Sequence, residues 1–518
     1  MEHIQKRIGF SKTSKKSNLD DHIEIRLWLE KMLFYMKDTL ALNDGCEDYN
    51  LTRELHLEHI IPDALPSNVR DYIALLLCAK SDIKHSAFNL DQFFANSDTR
   101  LLKQMLVPIQ NSIGWCYYMG IGGVNKNLDR AVAWFKKAAI EGYPLAQNNL
   151  GWCYKNGDGV GRDIVQATGW FEKAACQGCL YAQNNLAWCY ILGEGVERNI
   201  ATAVEWFTKA ADQGYVPAQS NLGLHYYKGD YIKKDLSRAI YWFRKAVEKG
   251  YASAQHNLGV CYYKGDAVLQ DFEQASMLFN KAAIQGYLKA QVSLGSCYYK
   301  GEGVEKNFVH AIYWFKKAAE QGDASSQSHV GWSYYQGIGT EKNLNQAASW
   351  FKKAADQGLS TAQNNLAWCY KNGEGVEKDL ELATYWFKEA ALRGNMLAQN
   401  NLAWRYKAGD GVETNHELAA YWLTKAAEQG YVPAQYSLGL CYHDGEGVEK
   451  DYSQALTWFN KAANNGYAAA FVYMGWFFEN GLVVERDLDQ ALHWYQKASN
   501  VGNDKVRLKI KQLNMFKN

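Results

Sequence analysis

The 518-residue chain is predicted to be all-α, a solenoid of stacked antiparallel helix pairs, and three observations carry that expectation. The stretch "AQNNLGWCYKNGDGV" from Ala146 returns as "AQNNLAWCYILGEGV" from Ala182 and "AQNNLAWCYKNGEGV" from Ala362, offsets of one and six steps of 36 residues. Within one period apolar residues recur at helical spacing, over Leu150, Gly151 and Tyr154 and again over Ala167, Trp170, Phe171, Ala174 and Ala175, so each period holds two amphipathic helices. A unit of this size cannot bury an apolar face alone, and a chain of this length exceeds what one core organises, so the pairs must lean on one another.

In chain order, residues 1–18 are a Lys/Ser-containing disordered start, and residues 19–107 form a helical cap or small domain, on the patterns "DDHIEIRLWLEKMLFYMKDTLAL" and "SNVRDYIALLLCAKSDI". Eleven repeats occupy residues 108–503. In each, a Gly such as Gly157 or Gly193 closes the first helix in the left-handed conformation that only Gly adopts freely. An Asx residue, from Asn127 to Asp487, opens the second helix by accepting from its orphan N–H groups, and another Gly, from Gly142 to Gly502, ends it. Repeats 4 and 5 replace the second turn glycine by Tyr231 and Ala267, and repeat 1 carries an extra residue near Gly122, so turn geometry is expected to differ there. Residues 504–518 read as a capping helix that covers the last repeat with Val506, Leu508 and Ile510.

Packing accounts for the remaining constants. An Ala stands at one place in every second helix, from Ala131 to Ala491, and three residues later comes Trp in ten repeats, with Leu278 the exception; small beside large lets helices interdigitate, and these tryptophans are expected in the core. Seven of the eleven cysteines (Cys116, Cys153, Cys189, Cys261, Cys297, Cys369, Cys441) share one repeat position. Equivalent residues of neighbouring helices sit about 8 to 10 Å apart, beyond disulfide reach, so buried reduced thiols are expected.

The order Ala, Leu-Gly, Tyr, Gly-x-Gly-Val, an Asx cap, Ala-x-x-Trp-Phe-x-Lys-Ala-Ala and Gly at this period resembles the Sel-one-like repeat family, a longer-loop relative of the tetratricopeptide repeat. The resemblance covers about residues 108 to 503 and implies a right-handed superhelix that binds proteins, with the first helices along its concave wall.

On that wall, what varies between repeats is more informative than what is constant. The position after the core Tyr reads Lys155, Ile191, Tyr227, Tyr263, Tyr299, Tyr335, Lys371, Lys407; Lys228, Lys264 and Lys300 follow three of the tyrosines. Aromatic rings with polar tips beside mobile cations suit a protein surface, acidic ones included. One turn earlier stand Trp152, Trp188, Trp332, Trp368, Trp404 and Trp476 as apolar anchors, with helix–helix packing as the competing role. Asn149, Asn185, Asn221, Asn257, Asn365 and Asn401 form a column of carboxamides that either hydrogen-bonds an extended peptide or braces neighbouring helices.

These readings give a non-enzymatic scaffold or adaptor for protein or peptide partners, without cofactor or metal. Lys and Arg number 56 against 55 acids, no basic footprint for nucleic acid, and no apolar run is long enough to span a membrane or to follow the charged start as a secretion signal. A cytoplasmic location follows, with export by a specialised secretion system to act on host proteins as the alternative. A second alternative places catalysis in the N-terminal segment: "LEHIIPDAL" resembles the first strand of an HNH-type nuclease, with His59 as base, although no matching His and Asn pattern follows. The Gly-x-Gly turns lack the flanking strand and Lys-Ser/Thr of a phosphate loop and the carboxylates of a calcium loop, and Cys176 with Cys179 has no second ligand pair for zinc.

Overall fold

The computed structural model describes residues 99–120, 125–503 and 506–517; the expectations for residues 1–98, His59 among them, and the extra residue near Gly122 lie outside that range. Among the described residues there are 23 helices and no strand. Repeat 2 shows the plan: an A helix, Pro144–Asn156, and a B helix, Ile164–Cys176, of 13 residues each. The same lengths recur to repeat 11, Ala468–Asn480 and Leu488–Asn500. The chain divides after Asn257, inside the A helix Ala252–Lys264, into two compact bodies, and in the repeats lying wholly within either body the A helix packs on its own B helix and the B helix on the next A helix.

Local chemistry sets the helix ends. Gly157 at φ 82° ends the first helix of repeat 2, its N–H returning to the Cys153 carbonyl, and a left-handed glycine stands at the equivalent place in all eleven repeats. Asp163 Oδ1 accepts from the Gln166 amide 2.9 Å away, and each of the eleven Asx residues makes the corresponding cap.

The loop's second glycine answers to a neighbour rather than to its own turn. A Cβ on Gly375 (φ 73°) would lie 1.9 Å from the carbonyl oxygen of Leu344, the first residue of the preceding B helix, and Gly159, Gly195, Gly303 and Gly447 meet the same obstacle. Ala267 replaces this glycine and still holds φ at 54°, so the expected departure in repeat 5 is strain rather than a new turn; Val483 in repeat 11, unremarked in the sequence, does the same at 66°. Tyr231 in repeat 4 is not in the left-handed region.

The core corrects one expectation. Trp134, Trp242, Trp350 and Trp422 are buried, but the other B-helix tryptophans are only half-buried, and the enclosed ring is the residue that follows, from Phe135 through Phe459 to Tyr495. The reason is room. In most repeats an A-helix glycine lets that ring lie against the backbone, a Cβ on Gly151 coming within 2.8 Å of Phe171, and in the others the small Ala187, Ala367 or Ala403 stands there. Where the larger indole stays at the rim it is lidded from solvent by the lysine one turn on, as Lys173 on Trp170 (4.4 Å), Lys209 on Trp206 (4.1 Å) and Lys461 on Trp458 (4.0 Å). The seven cysteines of the repeat column are buried and free of disulfides, and burial pushes the Cys153 and Cys369 thiols up to about 12.

Polar side chains knit successive repeats. Gln147 Nε2 donates to the Ala139 carbonyl of the preceding B helix, while its Oε1 accepts from Gln177, the residue that caps its own B helix. The relay recurs at Gln183 with Gln213, Gln291 with Gln321, Gln327 with Gln357 and Gln399 with Gln429. Where the cap is instead Lys249, Arg393 or Asn465, the buried Oε1 of Gln219, Gln363 or Gln435 has no partner.

At the C-terminus the helix Arg507–Lys517 packs on the last B helix. Val506, Ile510 and Leu513 join that core, whereas Leu508, expected among the covering residues, is exposed. Glu479 ties the region together, accepting from Tyr495 and pairing with Lys509 at 2.7 Å.

Candidate partner-binding face

Successive A helices present the same register positions side by side, so one face of each body carries three columns: carboxamide, indole, and the Tyr or Lys one turn later. The structure shows which of these side chains are already engaged.

The carboxamide column is largely self-satisfied. Asn149 Nδ2 donates to Asn111 Oδ1 (3.0 Å), Asn185 to Asn148 (3.0 Å), Asn221 to Asn184 (3.2 Å) and Asn401 to Asn364 (3.1 Å), bonds of the bracing kind. Asn257 Oδ1 lies 3.4 Å from His256 Nδ1. Asn365, with Ser328 at the position 37 residues earlier where other repeats offer Asn, makes no side-chain hydrogen bond among the described residues.

The last column follows a rule absent from the sequence reading: its residue bonds to an acid 39 positions later, or 40 from repeat 1 with its extra residue, in the Gly-x-Gly loop of the next repeat. In the first body Tyr118 Oη donates to Asp158 (2.8 Å) and Lys155 Nζ to Glu194 (2.7 Å), while Ile191 is buried. Tyr227 is half-buried, and Lys228 is exposed, 3.8 Å from Asp230. In the second body Tyr263 Oη donates to Glu302 (2.5 Å) while accepting from Lys300 Nζ (3.2 Å), Tyr335 Oη donates to Glu374 (2.8 Å), and Lys407 pairs with Glu446. The Glu374 carboxylate, with burial, pushes the Tyr335 hydroxyl up to about 12. These rings and cations staple repeats. Tyr299 has Ile338 where the acid would stand; its ring leans edge-on against Phe308 and stays 40% exposed. Lys264 is exposed.

The indoles divide. Trp188 stands edge-on to Phe207 and Trp368 to Phe387, both half-buried, as is Trp476. Trp152, Trp332 and Trp404 keep 42%, 43% and 48% of their surface in solvent. Trp332 stacks on Tyr335 at 5.6 Å, and Lys407 lies 5.7 Å from the Trp404 ring.

Two residues in the cysteine column were passed over in the sequence, where their break with the column was visible. His225 is buried, its Nδ1 3.4 Å from Asp230 and its Nε2 without a partner; burial pulls its pKa down. Arg405 is 3% exposed; its Nη1 reaches Asp410, its Nη2 has no partner, and burial lowers its pKa against the pull of Asp410. No described helix is long and apolar enough to cross a membrane.

With this geometry in view, comparison with known proteins is informative. The model of the Sel1 repeat matches eleven successive segments, from residues 110–143 to 469–503. The crystal structure of c5321, a protective antigen present in uropathogenic Escherichia coli strains and displaying an SLR fold, is similar at 35% identity with a TM-score of 0.67, over 82% of this chain and 91% of that one. A Sel1 repeat protein from Oxalobacter formigenes is 30% identical over 58% of this chain and 87% of its own, with a TM-score of 0.47. No curated protein matches the chain. Eleven matched segments, and the same hairpin solenoid in a relative aligned over most of both chains, establish that the chain belongs to the Sel1 repeat family.

Proposed function

We propose that the chain is a non-enzymatic scaffold that holds protein or peptide partners on the face formed by its A helices. The observation that carries this reading is the exposure of Trp152, Trp332 and Trp404 at one register position. An indole left in water gains by being covered, and Trp and Tyr dominate the energetics of protein interfaces. Tyr299 adds an aromatic ring that no acid holds down. Tyr263, Tyr335 and Lys300, engaged within the array, shape this face rather than anchor a partner. Replacing Tyr299, Trp332 and Trp404 together by Ala is expected to leave the helical circular dichroism and melting temperature near those of the parent, while capture of partners in pulldown falls by at least tenfold, as loss of two or three interface anchors requires. Undiminished capture by the triple variant refutes the reading.

A second reading concerns where the scaffold acts. The relative c5321 is described as a protective antigen, which places that protein within reach of host immunity. By analogy this chain acts outside the cell that makes it, and detection of the native chain in a host-cell fraction tests that against a cytoplasmic role. Its absence there while it is abundant in the producing cell favours the cytoplasm.

A further inference from the structure

In repeat 8 both polar columns of the A-helix face are left unspent. Asn365 lacks the bracing bond that Asn401 makes to Asn364 one repeat later. Three residues on, Trp368 stands edge-on to the core ring Phe387 at 6.0 Å, and three further on Lys371 Nζ lies 4.2 Å from the Trp368 ring centre. By the 39-residue rule Lys371 belongs to Asp410, as Lys155 belongs to Glu194 and Lys407 to Glu446. Asp410 is instead drawn away: its carboxylate lies 3.4 Å from Arg405 Nη1, and its backbone carbonyl accepts from the same nitrogen. Lys371 therefore has no hydrogen-bonded or ion-paired acid among the described residues.

Arg405 is the cause. It stands where seven repeats carry Cys, its guanidinium 5.8 Å from the same Phe387 ring that supports Trp368, and its buried Nη2 has no partner. Two cations thus stand near one half-exposed carboxylate that pairs with Arg405 alone, on a site walled by aromatic rings. The charges feel one another: the Lys371 ammonium is pulled below its ordinary value first by burial and then by Arg405. The C-terminal dipole of its helix favours a lysine here but does not explain a missing acid, since Lys155 and Lys407 occupy the same last turn and have one.

We propose that this face of repeat 8, with Asn365, Trp368 and Lys371 over Arg405 and with Trp404 on the next A helix, receives the carboxylate side chain of an Asp or Glu in a partner peptide. Lys371 pairs with the carboxylate, and the Asn365 amide donates to and accepts from the peptide backbone one turn away. Trp368 and the exposed Trp404 cover the apolar residues on either side. The occupant is a peptide because the charge surplus is small and the surrounding surface is carboxamide and indole; a polyanion would need a field of cations that this face lacks. The inference rests on the scaffold reading and names the chemistry its eighth repeat selects.

The test is an array of ten-residue peptides with Glu, Gln or Lys fixed at the centre among mixed apolar neighbours, probed with the full chain. The parent is expected to favour Glu over Gln by about tenfold, the scale of one charge-assisted contact. Lys371→Gln abolishes the preference. Arg405→Cys restores the residue of the other repeats and frees Asp410 to pair with Lys371, so it too abolishes the preference, while melting no earlier than the parent. Lys155→Gln, in a repeat whose lysine is already paired, leaves the preference intact. A Glu preference that survives Lys371→Gln overturns the proposal, as does an equal loss in Lys155→Gln, which marks a bulk charge effect. Peptide binding by the parent without preference for Glu removes the carboxylate site and leaves the scaffold standing, whereas no binding to any peptide removes both.

Discussion

Lys249, Arg393 and Asn465 are each one side chain away from a complete polar relay. In five other repeats a glutamine there feeds the buried Oε1 of the A-helix glutamine. Asn465 is too short and turns back to the Lys461 carbonyl, Arg393 turns to Glu389, and Gln219, Gln363 and Gln435 are left with an unmet acceptor. An unmet buried acceptor costs about 1 to 3 kcal/mol, and a completed neutral hydrogen bond returns about 1 kcal/mol net. Lys249→Gln is therefore expected to raise the unfolding free energy by about 1 kcal/mol, seen as a higher urea midpoint at unchanged slope. A lower midpoint would mean that the relay does not form there. The glutamine column itself is plain in the sequence at Gln147, Gln183 and onward; its purpose is not, because the partner lies 30 residues later and only the fold brings the two together.

At the scale of the helix and its loops, the sequence announces caps and turns but not what the loops touch. The left-handed glycines and Asx caps are local devices, legible because a helix end needs the same chemistry anywhere. The second loop glycine also reads as a turn signal, yet what excludes a side chain at Gly375 is Leu344 of the preceding repeat. The expectation for the tryptophans failed for a similar reason: Trp and Phe are adjacent and both apolar, and only the small residue opposite on the A helix, Gly in most repeats and Ala187, Ala367 or Ala403 in the rest, shows which side chain is enclosed. Gly375→Ala combines a left-handed backbone with a Cβ 1.9 Å from a carbonyl oxygen and is expected to cost about 3 kcal/mol or more. Val483→Gly relieves a β-branched residue at φ 66° and is expected to gain about 1 kcal/mol after the added freedom of the unfolded chain is counted. Opposite signs in one denaturation series support this reading of the loops; equal small losses contradict it.

For the whole molecule, stability is a sum over repeats and their neighbours, and function is what remains unspent on the surface once that sum is satisfied. The candidate face was visible in the sequence as columns of Asn, Trp, Tyr and Lys. Which of its side chains are engaged within the array was not legible there, because engagement is set by residues 37 and 39 positions away: Asn185 by Asn148, Tyr263 by Glu302, Tyr335 by Glu374. What survives the subtraction is Trp152 in the first body and Tyr299, Trp332, Asn365, Lys371 and Trp404 in the second. The most direct test places a photoreactive phenylalanine analogue at Trp404 or at the exposed B-helix residue Tyr385 of the full chain, illuminates the native cell, and identifies crosslinked proteins by mass. Crosslinks that concentrate at Trp404 and fall away when Lys371 is changed to Gln are the predicted result, and crosslinks that gather at Tyr385 instead would contradict the account.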